Sequence, residues 1–318
     1  MTESPRTNTA RKGRPMAVIA ESEQLHELVD ANAEVERIGA GFTFTEGPIW
    51  NPSGRFLLFS DMPGDTRRRW DEQGGVREVA KPSNKGNGMT LDADGRLLVC
   101  EHSTSSVVRI DPVGTGSGRE VLATHYEGRE LNSPNDIIVH SSGAIYFSDP
   151  TYGRMPGFGV ERQQDLDFQG VYRLQPGGGE LTLLADDFVQ PNGLCFSPDE
   201  SLLYVNDSDR AHIRVFDVAG DGTISNGRVF AAGIETADGS GDVDGMKCDE
   251  RGDIWVTGPG GLWVFAPSGE HLGVIEIPEI VGNIHWGGPD WSWLFVAAST
   301  SVYRMKTTTS GRREPFMS

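Results

Sequence analysis

Hydrophobic and polar positions alternate along this chain in short bursts, and the bursts come in pairs. Residues 244–256 are representative: Met246 and Cys248 belong to one apolar burst, a turn follows at Gly252, and Ile254, Trp255 and Val256 form the next. Strand-forming stretches flanking a glycine turn predict a β-hairpin. The unit recurs five more times, each copy opened by a polar residue: Glu46, Asn87, Asn135, Asn192 and Asn283, beside Asp244. Eight positions after each comes the turn: Gly54, Gly95, Gly143, Glu200, Gly252 and Trp291. Separations between copies run from 39 to 57 residues while the offset holds, so this is an internal repeat.

Most copies continue into two further apolar stretches, such as 212–218 and 228–232 after Asn192. Four antiparallel strands per repeat at this period predict the blades of a β-propeller. The last repeat supplies only three strands, and 34–44 is a strand without a repeat of its own. Pairing the two closes the ring and removes an open edge. The expectation is an all-β, six-bladed propeller of four-stranded antiparallel blades over 34–306, its last blade completed by the N-terminal strand. Residues 1–33 are an N-terminal extension, disordered in part, and 307–318 a loose polar tail. Within the extension, Leu25, Leu28 and Val29 share one side of a short helix over 22–29, with Ser22 as N-cap. Removing 1–18 is expected to leave the fold intact, and removing 1–44 to destroy it. One insertion, 151–170, is long and rich in Gly, Pro and charge, as loops around binding sites often are.

Composition narrows the function classes. A formal charge of −18 argues against a nucleic-acid partner, since phosphates call for Lys and Arg. No apolar run reaches the length of a membrane span, and the patch at 16–20 is too short for a signal peptide. Three cysteines, Cys100, Cys195 and Cys248, lack zinc-like spacing and read as buried thiols of a reducing, cytoplasmic compartment. The tryptophans, among them Trp50, Trp255 and Trp286, fall on strands and read as packing between blades.

In a propeller the first strand of each blade lines the central channel. Glu46, Asn87, Asn135, Asn192, Asp244 and Asn283 therefore form a ring at one rim, and the ends of the second strands bring Asp61, His102, Asp149 and Asp207 near it. Carboxylates and carboxamides without thiolates make a hard oxygen site, suited to Ca²⁺, Mg²⁺ or Mn²⁺ more than to Zn²⁺. His285, two residues beyond Asn283, reads as structural.

Several motifs carry a resemblance. Phe44-Thr45-Glu46-Gly47-Pro48, Asn135-Asp136 with 146–153, Pro191-Asn192-Gly193-Leu194 and Asp244-Gly245-Met246 resemble the gluconolactonase branch of the senescence-marker-protein, gluconolactonase and luciferin-regenerating-enzyme-like family. The resemblance spans about 35–306. It implies one divalent ion, Ca²⁺ first and Mg²⁺, Mn²⁺ or Zn²⁺ as alternatives, held by Glu46, Asn192 and Asp244. Asn135 matches a position that in relatives either ligates the metal or touches substrate, and is taken here as a fourth ligand. The resemblance implies a lactonase acting on a small-molecule lactone such as gluconolactone. On the chemistry and placement of the ring itself, Asp244 and Asn135 are the expected catalytic residues and Asn87, His102, Asp149 and Asn283 the expected substrate contacts. The alternatives are an esterase or organophosphate hydrolase on the same metal site, and a non-catalytic interaction platform. Ser133 stands where the mammalian branch carries Arg, so that branch's substrate preference does not transfer. A monomer or homodimer is expected.

Overall fold

A computed structural model of the chain describes residues 14–15, 18–111, 113, 118–235 and 241–317. Six antiparallel sheets surround a central channel. Blade 1 comprises Thr45–Asn51, Phe56–Asp61, Thr66–Asp71 and Gly75–Ala80; blade 2 comprises Gly86–Leu91, Leu97–Glu101, Ser106–Ile110 and Arg119–Ala123. Blade 3 is built from Ile137–Val139, Ile145–Asp149, Gln169–Leu174 and Leu181–Phe188; blade 4 from Pro191–Phe196, Leu202–Asp207, His212–Val218 and Ile224–Ala232. Blade 5 runs through Met246–Cys248, Ile254–Gly258, Gly261–Phe265 and His271–Glu276, and blade 6 through Val281–Gly287, Trp293–Ala298 and Ser301–Lys306. Ring closure is as the repeat count requires: Glu34–Ala40 pairs with the last strand of blade 6, Ala40 opposite Ser301 and Glu36 opposite Arg304.

The turn glycines earn their place at Gly95, Gly143 and Gly252, where φ is 76°, 83° and 92°, a left-handed region costly to side chains. Glu200 and Trp291 adopt the same region at their turns, but in blade 1 the left-handed residue is Arg55, one position beyond Gly54. Tryptophans pack between blades as expected: Trp50 stacks on Phe295 at 5.3 Å, and Trp255 meets Trp286 edge-on at 5.2 Å.

The helix forms at Glu23–Leu28, with the Ser22 side chain accepting from Gln24 N. Leu25, Leu28 and Val29 are fully buried in the core shared by blades 5 and 6. The extension holds more structure than the sequence suggested: Val18–Ala20 adds a fifth strand to blade 5, and Arg14–Pro15 pairs with Glu34–Ala40. The expectation of disorder over residues 1–13 lies outside the described residues.

The loose C-terminal tail is corrected. Residues 307–317 form a strap across the end of the channel opposite the ring. Gly311 bridges Asp249, Arg312 N donates to Cys248 O (2.9 Å), and Arg312 Nε donates to Ser197 O (3.0 Å). Phe316 enters a core with Ile49, Met89 and Leu91 of blades 1 and 2. Polarity misled the sequence reading, because this segment is held by hydrogen bonds to backbone and by ion pairs more than by a periodic apolar face.

Candidate active site

In blades 1, 2, 4 and 6 the inner strand enters the channel through a kink. Bulges fall between Glu46 and Ile49, Gly86 and Met89, Pro191 and Leu194, and Val281 and Asn283, at the level of the ring. A bulge re-aims side chains that a regular strand would send into the sheet interface. The residue after the ring position is glycine in blades 1, 2, 4 and 5 because neighbouring strands touch there. A Cβ on Gly47 would lie 2.0 Å from Asn87 O, and one on Gly193 2.2 Å from Asp244 O.

This register relocates Asn283. Pro191 pairs with Asp207 and Val281 with Ala298, while Gln190 O and Ile280 O receive the equivalent bonds from Ser208 N and Ser299 N. Gly282 therefore holds the ring position of blade 6, and Asn283 stands one layer deeper, where Gly193 stands in blade 4. Asp136 occupies the same deeper layer in blade 3, a residue the sequence reading passed over. A carboxylate at a position filled by glycine in four other copies was the available signal.

The ring side chains make a belt of hydrogen bonds. His102 Nδ1 donates to Phe158 O (3.0 Å), leaving Nε2 to accept from Asn87 Nδ2 (3.2 Å). Asn87 Nδ2 also donates to Asn135 Oδ1, Asn135 Nδ2 to Asn192 Oδ1 (2.6 Å), and Asn192 Nδ2 to Ser208 Oγ (3.1 Å) and the Asp244 carboxyl. Asp244 shares a hydrogen bond with Glu46, which also accepts from Gly47 N (2.9 Å) and from Asn283. The belt thus runs from the loop of blade 3 to blade 6.

Its electrostatics are unbalanced. Burial pushes the Glu46 carboxyl up to about 7, and the Asp136 charge adds to the rise. Asp244 is pushed well above its ordinary value by burial and by the Glu46 and Asp136 charges. Asp136 is 2 % exposed; its Oδ1 accepts from Ile137 N (2.9 Å), while Oδ2 has no hydrogen-bond partner among the described residues. Glu46, Asn87, Asn135 and Asn192 are buried, whereas Asp244 is partly open to the mouth.

The second-strand ends divide. Asp149 is fully buried and turned from the channel, accepting from Asn132 N (2.8 Å) and Ser133 N (2.7 Å); burial raises its carboxyl to about 7. Asp61 does likewise for Thr43 N (2.8 Å), and Asp207 for Val189 N (2.8 Å) and Gln190 N (3.1 Å). These aspartates staple the loop entering each blade. His102 is also fully buried, with burial lowering it to about 4, so the imidazole is neutral near pH 7.

The loop 151–170 covers this side of the mouth. Arg154 anchors it, donating to Asn132 O (2.9 Å) and Leu131 O (2.6 Å), and Lys85 Nζ donates to Gly157 O (2.7 Å). Phe158 meets Phe44 edge-on at 6.0 Å, so the loop spans from blade 3 to blade 1. Beyond Asp244 opens a cavity of about 310 Å³ lined by Tyr152, Ser208, Asp209, Glu235, Asp242 and Val243. A roomier one, about 650 Å³, lies on the opposite face beside Trp50, Trp70 and Trp293. It is remote from the ring, and Arg69, Arg77 and Arg304 beside it are already paired with Asp71, Glu36 and Glu72.

The donor set can be tested for a metal. Among the described residues no three His, Cys, Asp or Glu side chains are grouped as a metal centre, so the ring relies on carboxamides as well as carboxylates. Two neighbouring carboxyls raised together above the Asp136 charge, with adjacent amide oxygens, fit a hard divalent cation. Glu46, Asp244, Asn135 and Asn192 are the residues that could hold it.

Comparison with known proteins follows the same lines. Residues 44–300 match the sequence profile of the SMP-30/Gluconolactonase/LRE-like region. A gluconolactonase from Zymomonas mobilis is 35% identical, over 91% of this chain and 86% of its own length. A pentonolactonase from Haloferax volcanii is 27% identical, over 80% and 81%. Among solved structures, a gluconolactonase from Xanthomonas campestris superposes with a TM-score of 0.83 at 32% identity, covering 93% of this chain and 99% of that one. A regucalcin from Agrobacterium tumefaciens, described as a calcium-binding protein, reaches 0.71 at 21% identity over 87% and 95%, and shows the fold alone.

Proposed function

We propose, from the premise that this chain belongs to the SMP-30/gluconolactonase/LRE-like family, that it is a lactonase opening the ring of a neutral sugar lactone with a divalent cation at Glu46, Asn135, Asn192 and Asp244. The observation that carries this reading is the Glu46–Asp244 pair, two carboxyls driven up together at the mouth of a channel. Calcium is the first candidate and Mg²⁺, Mn²⁺ and Zn²⁺ follow. When bound, such a cation polarises the lactone carbonyl and lowers the pKa of water.

The chain's own residues supply the rest. Asp244, the partly exposed member of the ring, takes the proton of the attacking water as general base. Water oxygen bonds to the carbonyl carbon, the ring C–O bond breaks, and the proton passes to the departing alkoxide. Asn87 and Asn135 offer N–H groups to the developing oxyanion or to sugar hydroxyls. His102 orients Asn87, Asp149 holds the loop that carries Asn135, and Asn283 holds Glu46. These three position the machinery from behind it. The cavity beside Asp244 takes the hydroxyl-rich side of the substrate, with Ser208, Asp209 and Asp242 as acceptors and Tyr152 as a wall.

The test is hydrolysis of a panel of neutral sugar lactones, with aryl esters and a phosphotriester beside them. Chelator treatment and add-back of each metal complete the design. Turnover of lactones, lost with chelator and restored by one metal, is expected. Full activity in a metal-free sample removes the cation from the reading, and turnover confined to the phosphotriester removes the lactone.

A further inference from the structure

Among the strands lining the channel, 45–51, 86–91, 137–139, 191–196, 246–248 and 281–287, there is a single Lys or Arg, Lys247. Its Nζ stands 3.8 Å from Asp136 Oδ2, the buried oxygen that lacks a hydrogen bond among the described residues, and donates to Met246 O at 3.1 Å. Glu314 of the C-terminal strap lines a small cavity with Lys247. Glu314 accepts from Thr90 Oγ1 (3.3 Å) and stands 3.4 Å from His285 Nε2. The ammonium therefore lies within ion-pair range of a carboxylate just below the ring and lines the same small cavity as a carboxylate on the channel floor. A buried carboxylate without a counter-charge is expensive, so this placement calls for an explanation.

We propose that Lys247 is a built-in cation of the channel, set beside Asp136 and sharing a small cavity with Glu314, which neutralises the channel core without an ion, tempers the charge the mouth presents to a divalent cation, and pins the strap. It is a positioning residue, since it touches neither the ring carboxyls nor the cavity beside Asp244. The part concerning the mouth rests on the reading of Glu46, Asn135, Asn192 and Asp244 as a cation site. The part concerning the strap does not.

Two variants of the full chain test it: Lys247→Met, which removes the charge, and Lys247→Arg, which keeps it. Chelator-stripped protein is titrated calorimetrically with Ca²⁺ at fixed ionic strength. Lys247→Met is expected to bind Ca²⁺ about tenfold tighter, or to take a second equivalent at Asp136, while Lys247→Arg stays within about threefold of the parent. Hydrogen exchange over 307–317 should quicken about tenfold in Lys247→Met and little in Lys247→Arg. Glu314→Gln provides the opposite sign: Lys247 loses its lower partner, so Ca²⁺ binding weakens while the strap still loosens. General destabilisation cannot move affinity in both directions, and Glu314→Gln remains informative should Lys247→Met fail to fold. Unchanged affinity and unchanged exchange in Lys247→Met overturn the proposal. If the parent protein binds no divalent cation, the site reading falls, and exchange alone decides whether Lys247 pins the strap.

Discussion

At the mouth of the channel the Glu46 carboxyl is raised by burial and by the charge of Asp136. At the floor, burial pushes Glu314 the same way, yet the His285 imidazole and the charges of Lys247 and Arg312 hold it below its ordinary value. Burial thus pushes both glutamates up, and only at the floor do neighbouring positive groups reverse it. Where carboxylates meet counter-charges the chain has closed its own accounts and built structure. Where like charges crowd without one, it has left a site for something else to complete.

Breaking the mouth should produce the largest effect. Asp244→Ala removes a candidate ligand and the candidate base together, and kcat/KM on a lactone should fall by about a thousandfold or more. Steady-state kinetics check it, and near-parental activity would mean that the crowded carboxyls serve no chemistry. Breaking the floor should cost stability first. Ending the chain after Lys306 removes the Phe316 contact and the bonds of Arg312, at about 3–5 kcal/mol by urea denaturation.

The third prediction uses pH. Glu46 titrates at about 7 in the fold against an ordinary 4.5, so between these values the native state holds more protons than the unfolded one. That stabilisation is complete below 4.5 and disappears as pH rises through 7. With chelator present, melting temperature should therefore fall from pH 5 to pH 8, by roughly 2 kcal/mol in stability. Glu46→Gln should flatten part of the slope, and a divalent cation should restore stability at pH 8. The smallest effect is expected from Asn87→Ala, which should raise KM about tenfold while calorimetric Ca²⁺ affinity stays nearly constant.

What could be read in advance followed the repeat. Polar residues at the strand starts and the left-handed turns at Gly95, Gly143 and Gly252 are dictated locally, so blade count and ring closure came through. The helix cap at Ser22 is likewise local. Asn283 was placed one position too shallow because blade 6 carries Gly282 at the ring, and only strand register reveals that. His102 and Asp149 lie at the right height but are buried behind the ring, Asp149 accepting from Asn132 N and Ser133 N and His102 donating to Phe158 O, pairings that spacing does not reveal. Asp136, Ser208 and Lys247 matter through neighbours on other blades, and pairings across blades leave no trace in spacing. The strap was lost for the same reason: its partners Cys248, Ser197, Thr90 and His285 are distant in sequence.

Ring closure also has a consequence in time. Glu34–Ala40 is made early in synthesis, yet its partner Ser301–Lys306 comes about 260 residues later. Until then the first strand has no sheet to complete, and blade 6 cannot form. Closing so long a loop carries only a modest entropic penalty, because that penalty grows with the logarithm of length. The delay falls on kinetics instead, since contacts this non-local slow folding and leave strand edges exposed meanwhile. The Leu28 carbonyl then receives Thr308 N at 2.9 Å, so the helix Glu23–Leu28 and the strap meet only once the ring is shut. Strap residues translated about 280 positions later thus lock the helix at Glu23–Leu28.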